Sequence, residues 1–169
     1  MLRYLAETLP RVLWGLRPTT GARPLHLRTR HRVGLGDIDL NRHMNQAAYA
    51  RVCEHARVSW MLRTGALQGW RAIGVNPMVA RQTLTYRREL APFQRFCVET
   101  RAVGLEDRLL RLEQVLVVGD RVHARDDLAL LFVGPGGVQS AAQVAELCEG
   151  LLTGPLPVEG WRVVSGPPA

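Results

Sequence analysis

The sequence contains no lysine, so all 22 basic side chains among its 169 residues are arginines. With 15 acidic side chains they give a formal net charge of +7. Guanidinium groups stay charged at any working pH and can hold a phosphate through two hydrogen bonds. The charge is compatible with an anionic partner, but it is equally typical of a solvated arginine-rich surface. A role in nucleic-acid binding would rest on charge alone, so no nucleic-acid partner is expected.

Cysteine is scarce, and its spacing argues against two kinds of site. The three cysteines, Cys53, Cys97 and Cys148, are far apart and form no C-x-x-C pair. Neither a disulfide framework nor a zinc site is expected from such a pattern. Cys53 and Cys97 have apolar neighbours and are predicted to be small core residues, which favours a reducing, cytoplasmic location.

Long hydrophobic runs are also missing, since none approaches the roughly 20 residues that a membrane-spanning helix needs. The first residues are rich in leucine, but Glu7, Pro10 and Arg11 interrupt them and no small-residue cleavage site follows. This pattern argues against a signal peptide. Residues 1–22 are predicted to form an amphipathic helix and a linker. The helix, at residues 1–16, either docks on the domain or makes weak contact with a membrane surface.

The rest of the composition is that of an ordinary globular protein. Hydrophobic residues make up 47% of the chain and charged residues 22%. The length suits a single domain, which we predict at residues 23–155. A tail at residues 156–169 is rich in glycine and proline and is predicted to be loosely held.

Hydrophobic periodicity predicts a domain of the α+β class. Residues 25–34 alternate apolar and polar positions, as a half-buried strand does. From Asn45 the period becomes helical, and this long helix is predicted to end near Gly65. It is expected to lie in the concave face of a curled antiparallel sheet, and a last helix is predicted at residues 140–152. Four extended segments between the helices are predicted to form strands in meander order: residues 78–90, 96–106, 108–118 and 121–134.

The stretch "GDIDLNRHMNQAAYAR" concentrates polar side chains just before the long helix. Asp39 is the carboxylate that we predict to act as a general base or nucleophile. Asn41 and His43 each offer a donor and an acceptor within the same loop, so they can orient Asp39 or a water molecule. The first backbone amides of the helix, those of Gln46 and Ala47, can polarise a carbonyl group.

The same stretch also has structural interpretations. Aspartates in turns commonly accept hydrogen bonds from nearby backbone amides, and we assign that role to Asp37. Asn45 is a good N-cap for the helix that follows. His43 is as consistent with a hydrogen-bonded loop histidine as with a catalytic one. Tyr49, one turn into the helix, either packs in the core or forms a hydrogen bond in a ligand pocket.

The run "DIDLNRHMNQAAYAR", followed later by "TLTYRRELAPFQRFCVETRAVGLEDRLLRLEQ", resembles the hotdog-fold acyl-CoA thioesterases. The resemblance is to the 4-hydroxybenzoyl-CoA thioesterase-like superfamily, in particular its branch around thioesterase superfamily member six. It covers residues 25–135, and the spacing D-x-D-x-x-x-H-x-N followed by Tyr carries it. Asp39, Asn41 and His43 are also spaced as in the plant acyl-ACP thioesterases. In that family a Glu follows "YRR" in a strand, and Glu89 holds the matching place here.

The resemblance implies a hotdog fold and hydrolysis of an acyl-CoA or acyl-carrier thioester, without a metal or another cofactor, as a step of lipid metabolism. It also implies a homodimer or homotetramer whose sheets pair edge to edge, with active sites at the interface. Glu89 would then position a water molecule beside Asp39. The alternative for Glu89 is a surface ion pair with Arg87 or Arg88, which contributes little stability.

Three arginines, Arg81, Arg87 and Arg88, belong to the predicted second strand. They lie near the place where the phosphates of coenzyme A would bind, and arginine suits that role. A solvated face of the sheet explains the three side chains equally well.

Three function classes follow. The leading hypothesis is an acyl thioesterase that uses Asp39. The second is a hotdog protein that binds acyl thioesters without turnover. The third is a hydratase or dehydratase of enoyl or hydroxyacyl thioesters, in which His43 and Asp39 form the acid–base pair.

Overall fold

A computed structural model of the chain describes residues 24–156, 158–159 and 162–163. The amphipathic helix predicted at residues 1–16 lies outside these residues, so its docking and its membrane contact stay predictions. The described residues form one antiparallel sheet with three helices, and the sheet curls around the longest helix.

The long helix, α1, spans Gln46–Arg63 and has a cap at each end. Asn45 has an extended backbone, and its side-chain oxygen accepts a hydrogen bond from the amide of Ala48 at 2.8 Å. The chain leaves the helix through Gly65, whose φ of 77° is open to glycine at little steric cost. The boundaries predicted from the sequence are thereby confirmed, because each depends on a local capping signal.

Eight strands make up the sheet. The five long ones are β1 Leu27–Arg32, β2 Asn76–Tyr86, β3 Arg95–Glu106, β4 Leu109–Val118 and β5 Arg121–Gly134. The short ones are β6 Gly137–Val138, β7 Val158–Glu159 and β8 Arg162–Val163. The long strands are ordered β1-β3-β4-β5-β2, and β6 and β8 also pair with β5.

The strand order corrects the prediction of a four-strand meander. Strands β3, β4 and β5 do form consecutive hairpins, but β2 pairs with β5 and not with β3. The reason lies in the connection from β2 to β3, which crosses one end of the sheet. The amide of Arg87 donates to the carbonyl of His123 on β5 at 2.8 Å, and the amide of Met44 donates to the carbonyl of Leu90 at 2.9 Å. The connection therefore passes beneath the N-terminus of α1.

Helix α1 is enclosed by the rest of the molecule. The apolar face predicted from its sequence is buried, and burial extends to His55, Arg57 and Ser59 on its other sides. A second helix, α2 at Ala66–Ala72, follows directly. Its Trp70 packs edge to face on Phe132 of β5, with ring centroids 4.8 Å apart.

A row of polar side chains crosses the inner face of the sheet and divides the core into two hydrophobic clusters. Thr100 on β3, Gln114 on β4 and Asp126 on β5 lie directly opposite one another, and all three are fully buried. We call them the polar row. The Gln114 amide donates to Thr100 Oγ1 at 3.0 Å and to the carbonyl of Cys53 at 2.9 Å. One cluster contains Trp60 and the other contains Tyr49, Val98, Leu116 and Ala124.

The last helix, α3, is shorter than predicted. Ser140 caps it as expected, but the helix spans only Ala141–Leu147, and the chain then turns through Gly150 with φ at 72°. Residues beyond it cross the outer face of the sheet, where the amide of Leu156 donates to Glu113 Oε2 at 2.6 Å. Strands β7 and β8 fall within the tail that was predicted to be loosely held, and β8 pairs with β5.

Candidate active site

A cavity of about 610 Å³ opens where the N-terminus of α1 meets the β2–β3 connection. Eight of the ten residues predicted from the sequence to serve the reaction by their side chains or backbone line this cavity, and Ala47 and Arg81 do not. Its lining consists of Asp39, Asn41, His43, Met44, Gln46, Tyr49, Tyr86, Arg87, Arg88 and Glu89.

A tight turn brings the side chains of the motif together. The amide of Asp39 donates to the carbonyl of His43, and the amide of Arg42 donates to the carbonyl of Asp39, both at 3.1 Å. Arg42 has a φ of 65°, which is uncommon for a residue with a side chain. Ile38 and Met44 pair as an isolated bridge on either side of the turn. The turn places residues 39 and 43 side by side at the mouth of the cavity.

The carboxylate of Asp39 is held by its own turn. Oδ1 accepts a hydrogen bond from the amide of Asn41 at 2.9 Å, and Nδ1 of His43 lies 3.8 Å from the same oxygen. About a third of each of the two side chains is exposed. Within the described residues, both contacts are made by Oδ1, which leaves Oδ2 to face a water molecule or a substrate. Asp39 thus combines the turn geometry of the structural interpretation with the access that catalysis requires.

The neighbouring aspartate, Asp37, has structural partners instead. Its Oδ2 accepts a hydrogen bond from the amide of Gly34 at 2.9 Å, and its Oδ1 forms an ion pair with Arg51 of α1. Its carbonyl accepts a hydrogen bond from the amide of Asn45 at 2.8 Å. These contacts fix the loop to the helix and agree with the structural role assigned to Asp37.

The start of α1 offers two backbone donors close to Asp39. The amides of Gln46 and Ala47 precede the first intrahelical hydrogen bonds of α1. The side chain of Asn45 caps the amide of Ala48 and leaves these two amides to other acceptors. The first amides of a helix carry the positive end of its dipole. They can therefore stabilise a negative charge on a carbonyl oxygen that enters this end of the cavity.

The segment Tyr86 to Leu90 forms the opposite wall and is anchored from two sides. His123 on β5 donates a hydrogen bond from Nδ1 to the carbonyl of Glu89 at 2.9 Å. The amide of Leu90 donates to the hydroxyl of Tyr49 at 3.2 Å. Tyr49 is therefore both a buried core residue and a hydrogen-bond partner at the cavity, so both of its predicted interpretations apply. The side chain of Glu89 itself is exposed.

Burial shifts the pKa of two groups that build this wall. It raises the pKa of Tyr49, which keeps its hydroxyl protonated. It lowers the pKa of His123, which keeps its imidazole neutral at pH 7. Tyr49 and His123 therefore hold the wall through neutral hydrogen bonds.

The three arginines separate into two groups. Arg87 and Arg88 line the cavity beside Glu89. Arg81 does not line it, because its side chain forms a two-point ion pair with Glu106, with the shorter contact at 2.8 Å. Both side chains of that pair are largely exposed.

Sequence reasoning missed two residues that shape the site. Tyr86 stands directly before "RRE" and lines the cavity, and its position next to that motif was a usable signal. His123 lies in a strand predicted from alternation alone, and nothing in its neighbours indicates that it holds Glu89.

The part of the chain that the structure describes has neither a metal-binding cluster nor a membrane-spanning helix. Among residues 24–156, no cluster of three or more histidine, cysteine, aspartate or glutamate side chains is arranged to hold a metal ion. None of the three helices described is both long enough and apolar enough to cross a membrane.

Comparisons with known proteins place this site in a family context. Protein THEM6 of Danio rerio is 38% identical over 86 residues, which cover 51% of this chain and 43% of that protein. The L-carnitine dehydrogenase/betainyl-CoA thioesterase of Agrobacterium fabrum is 30% identical over 97 residues, which cover 57% of this chain and 20% of that protein. This chain therefore spans less than half the length of either relative.

The crystal structure of the YbaW probable thioesterase from Escherichia coli is similar in fold, with a TM-score of 0.65 at 19% identity. The likeness covers 75% of this chain and 99% of that one, and it confirms the hotdog fold. The family model described as the thioesterase-like superfamily matches residues 33–145, which include the turn, α1 and the β2–β3 connection. The chain belongs to the thioesterase-like superfamily.

Proposed function

We propose that this protein hydrolyses an acyl thioester carried on coenzyme A or on an acyl-carrier protein, with Asp39 as the general base or nucleophile. The observation that carries the proposal is that Asp39 and Gln46, the first residue of α1, line the same cavity. The name of the Agrobacterium relative, which includes a betainyl-CoA thioesterase activity, supports the same reaction class.

Thioester hydrolysis needs an activated nucleophile and a stabilised oxyanion. Asp39 either removes a proton from a water molecule that attacks the carbonyl carbon, or attacks that carbon itself and forms an anhydride that water then cleaves. In both routes the carbonyl oxygen becomes negative, and the amides of Gln46 and Ala47 can donate to it. The carbon–sulfur bond breaks when this tetrahedral intermediate collapses to the acid or to the anhydride, and the thiolate leaves and takes up a proton. In the second route water cleaves the anhydride only after the thiolate has left.

The polar neighbours of Asp39 have supporting roles in this proposal. His43, with Nδ1 3.8 Å from Asp39 Oδ1, orients the carboxylate, and Asn41 fixes the turn through its backbone amide. Glu89 stands across the cavity and positions the water molecule. No cofactor takes part in these steps.

The carrier is proposed to bind at the mouth of the cavity. Arg87 and Arg88 lie there, and guanidinium groups bind phosphates through paired, charge-assisted hydrogen bonds. Arg81 is occupied by Glu106 on the outer surface, so we do not assign it to the coenzyme.

A second copy of the chain is proposed to complete the site from the side of β2. Within the described part of the chain, β2 pairs only with β5, so its other edge is open. Met78 is 57% exposed and Val79 is 47% exposed on this strand. Open edges with exposed apolar side chains favour pairing with another strand, which agrees with the expected homodimer or homotetramer.

The test is the release of free thiol from a panel of acyl-CoA and acyl-carrier substrates by purified protein. Asp39→Asn should slow the release by at least about a hundredfold, the lower scale of general base catalysis. Asp107→Asn is the matched control, because Asp107 lies in the exposed β3–β4 turn and asparagine tolerates its φ of 51°. Equal rates for wild type and Asp39→Asn would refute the assignment of Asp39.

The same samples distinguish the other function classes. Asp39 and His43 are close enough to act as the acid–base pair of a hydratase, so crotonyl-CoA should be included. A loss of enoyl absorbance without thiol release would favour the hydratase. Thermal stabilisation by acyl-CoA without any turnover would favour a binding protein.

A further inference from the structure

Two tyrosine rings line the cavity where α1 meets β2. Tyr49 of α1 and Tyr86 of β2 meet edge to face, with ring centroids 5.0 Å apart. Tyr49 is 3% exposed, and its hydroxyl is already engaged by the amide of Leu90. The hydrogen bond to Leu90 holds the Tyr49 ring in place, and the more exposed ring of Tyr86 packs against it.

The polar row lies close behind the tyrosine pair, at the border of the apolar cluster in which Tyr49 is packed. Cys53 is one helical turn beyond Tyr49, and the thiol lies beside the carboxyl group of Asp126. Asp126 is opposite Leu84, which lies two residues before Tyr86 on β2 and on the same face of the strand. This aspartate belongs to the polar row, so the row passes immediately behind the floor of the cavity.

The carboxyl group of Asp126 is fully buried and incompletely satisfied. Its Oδ2 accepts a hydrogen bond from Gln82 at 2.8 Å, while its Oδ1 has no partner within the described residues. Burial raises the pKa of Asp126, as expected for a carboxyl group withdrawn from water. A hydrocarbon chain placed against this buried oxygen would give it no hydrogen-bond donor.

We infer that the site accepts a compact acyl group, either a short chain or a single ring, which ends against Tyr49 and Tyr86 with Asp126 behind them. This inference rests on the proposed function and deepens it. A long fatty acyl chain needs a continuous apolar channel beyond the reacting carbonyl, and here the path into the core meets the polar row. Tyr86 and Tyr49 are the residues that set the acyl length.

The tyrosine pair also suits an aromatic acyl group. Edge-to-face contact with a third ring is a favoured geometry, and two ring faces at right angles offer such contacts. We therefore expect a benzoyl group in front of the pair to contact the tyrosine rings.

The experiment measures kcat/KM of the wild-type protein for a graded series: acetyl-, butyryl-, hexanoyl-, benzoyl-, dodecanoyl- and palmitoyl-CoA. Dissociation constants for the same series are measured with Asp39→Asn, so that binding is observed without turnover. We expect both series to favour hexanoyl or smaller groups, or benzoyl, over palmitoyl by at least about tenfold. A preference for dodecanoyl or palmitoyl in either series would overturn the inference.

Two variants test whether the tyrosine pair sets the length. Tyr86→Ala should move the optimum towards a longer chain, and it is compatible with folding because Tyr86 is 41% exposed. Tyr86→Phe is the matched control, because it keeps the ring and should keep the wild-type order of substrates. An unchanged order in Tyr86→Ala would show that the ring does not limit the acyl group.

The outcomes separate this inference from the proposed function. Hydrolysis that prefers palmitoyl-CoA would overturn the inference and leave the function standing. Compact-selective binding without hydrolysis would overturn the function and leave the inference standing. If no substrate of the series is bound or hydrolysed, both the inference and the proposed function are overturned.

Discussion

At the scale of single residues, His123 connects the sheet to the reacting groups. Its carbonyl accepts the amides of Arg87 and Arg88 at 2.8 and 3.0 Å, and its imidazole donates to the carbonyl of Glu89. One residue of β5 thus fixes three successive positions of the cavity wall. Its role is one of positioning, since no contact with a substrate is required of it.

The lowered pKa of His123 predicts a pH-dependent contribution to stability. Below about pH 6.5 the unfolded chain protonates this histidine while the folded chain resists doing so. The unfolded state then binds more protons, so the free energy of unfolding falls as the pH falls. His123→Asn keeps a donor near the position of Nδ1 but does not titrate. It should therefore lose less stability than wild type between pH 8 and pH 5.5.

Urea denaturation of wild type and His123→Asn at pH 8 and pH 5.5 checks this prediction. The wild-type loss of stability minus the variant's loss gives the contribution of His123 apart from the other histidines. His123→Leu is the companion variant, because it removes the donor to Glu89 and should lower activity where His123→Asn retains it. Equal losses of stability for wild type and His123→Asn would contradict the prediction.

At the scale of secondary structure elements, the start of α1 serves both folding and the site. Asn45 caps one amide of the first turn, and the two amides before it remain available to a ligand. The same few residues therefore determine where the helix begins and where the positive end of its dipole points.

Removal of the cap should be measurable as a loss of stability. Asn45→Ala is expected to cost about 1 kcal/mol of the free energy of unfolding, because the amide of Ala48 loses its side-chain acceptor. Asn45→Ser keeps an acceptor oxygen and should stay close to wild type. Thermal or chemical denaturation of the three proteins provides the comparison. An equal loss of stability in both variants would show that the side-chain oxygen of Asn45 does not stabilise the helix.

Helices and strands whose ends are marked by capping or turn residues could be predicted from the sequence. Which strands pair with each other could not. Helix α1 could be predicted because Asn45 and Gly65 mark its ends, and the polar turn before it, predicted to form the site, lines the candidate cavity. The prediction that β2 pairs with β3 was wrong, because a hairpin turn and a crossing connection contain the same types of turn residue. Helix α3 was overextended, because the apolar pattern continues past Leu147 into turns.

The candidate site shows the same limit. Asp39, Asn41 and His43 lie close together in sequence, so their proximity in space was predictable. The alternation of apolar and polar residues in a strand distinguishes positions that face the core from positions that face solvent. It does not show which residues of different strands come into contact. His123 and Asp126 therefore gave no sign of their roles, and the pairing of Arg81 with Glu106 depends on a contact between separate strands.

At the scale of the whole molecule, the open edge of β2 is the dominant surface feature of the described residues. A strand with both an unpaired edge and exposed apolar side chains is unusual in a protein that stays monomeric. Because β2 also carries Tyr86, pairing along this edge would place a second copy beside the cavity.

Light scattering after size-exclusion chromatography should show a dimer or tetramer for the wild-type protein. Val79→Lys is expected to shift it towards monomer, because two like charges would approach across the symmetric interface. Ile73→Lys is the matched control: Ile73 is 60% exposed but lies before β2 and not on it. A monomeric wild type, or equal effects of both substitutions, would contradict the assembly through β2.

The polar row has a consequence for how the chain finds its fold. A slip of β4 by two residues against β3 and β5 would keep every side chain on its proper face, and hydrophobic patterning alone would not oppose it. Such a slip would move Gln114 out of line with Thr100 and Asp126 and into an apolar cluster, with its amide unsatisfied. The buried polar groups that limit the acyl chain thus also act as an alignment mark between strands, which selects one register from several of equal hydrophobicity.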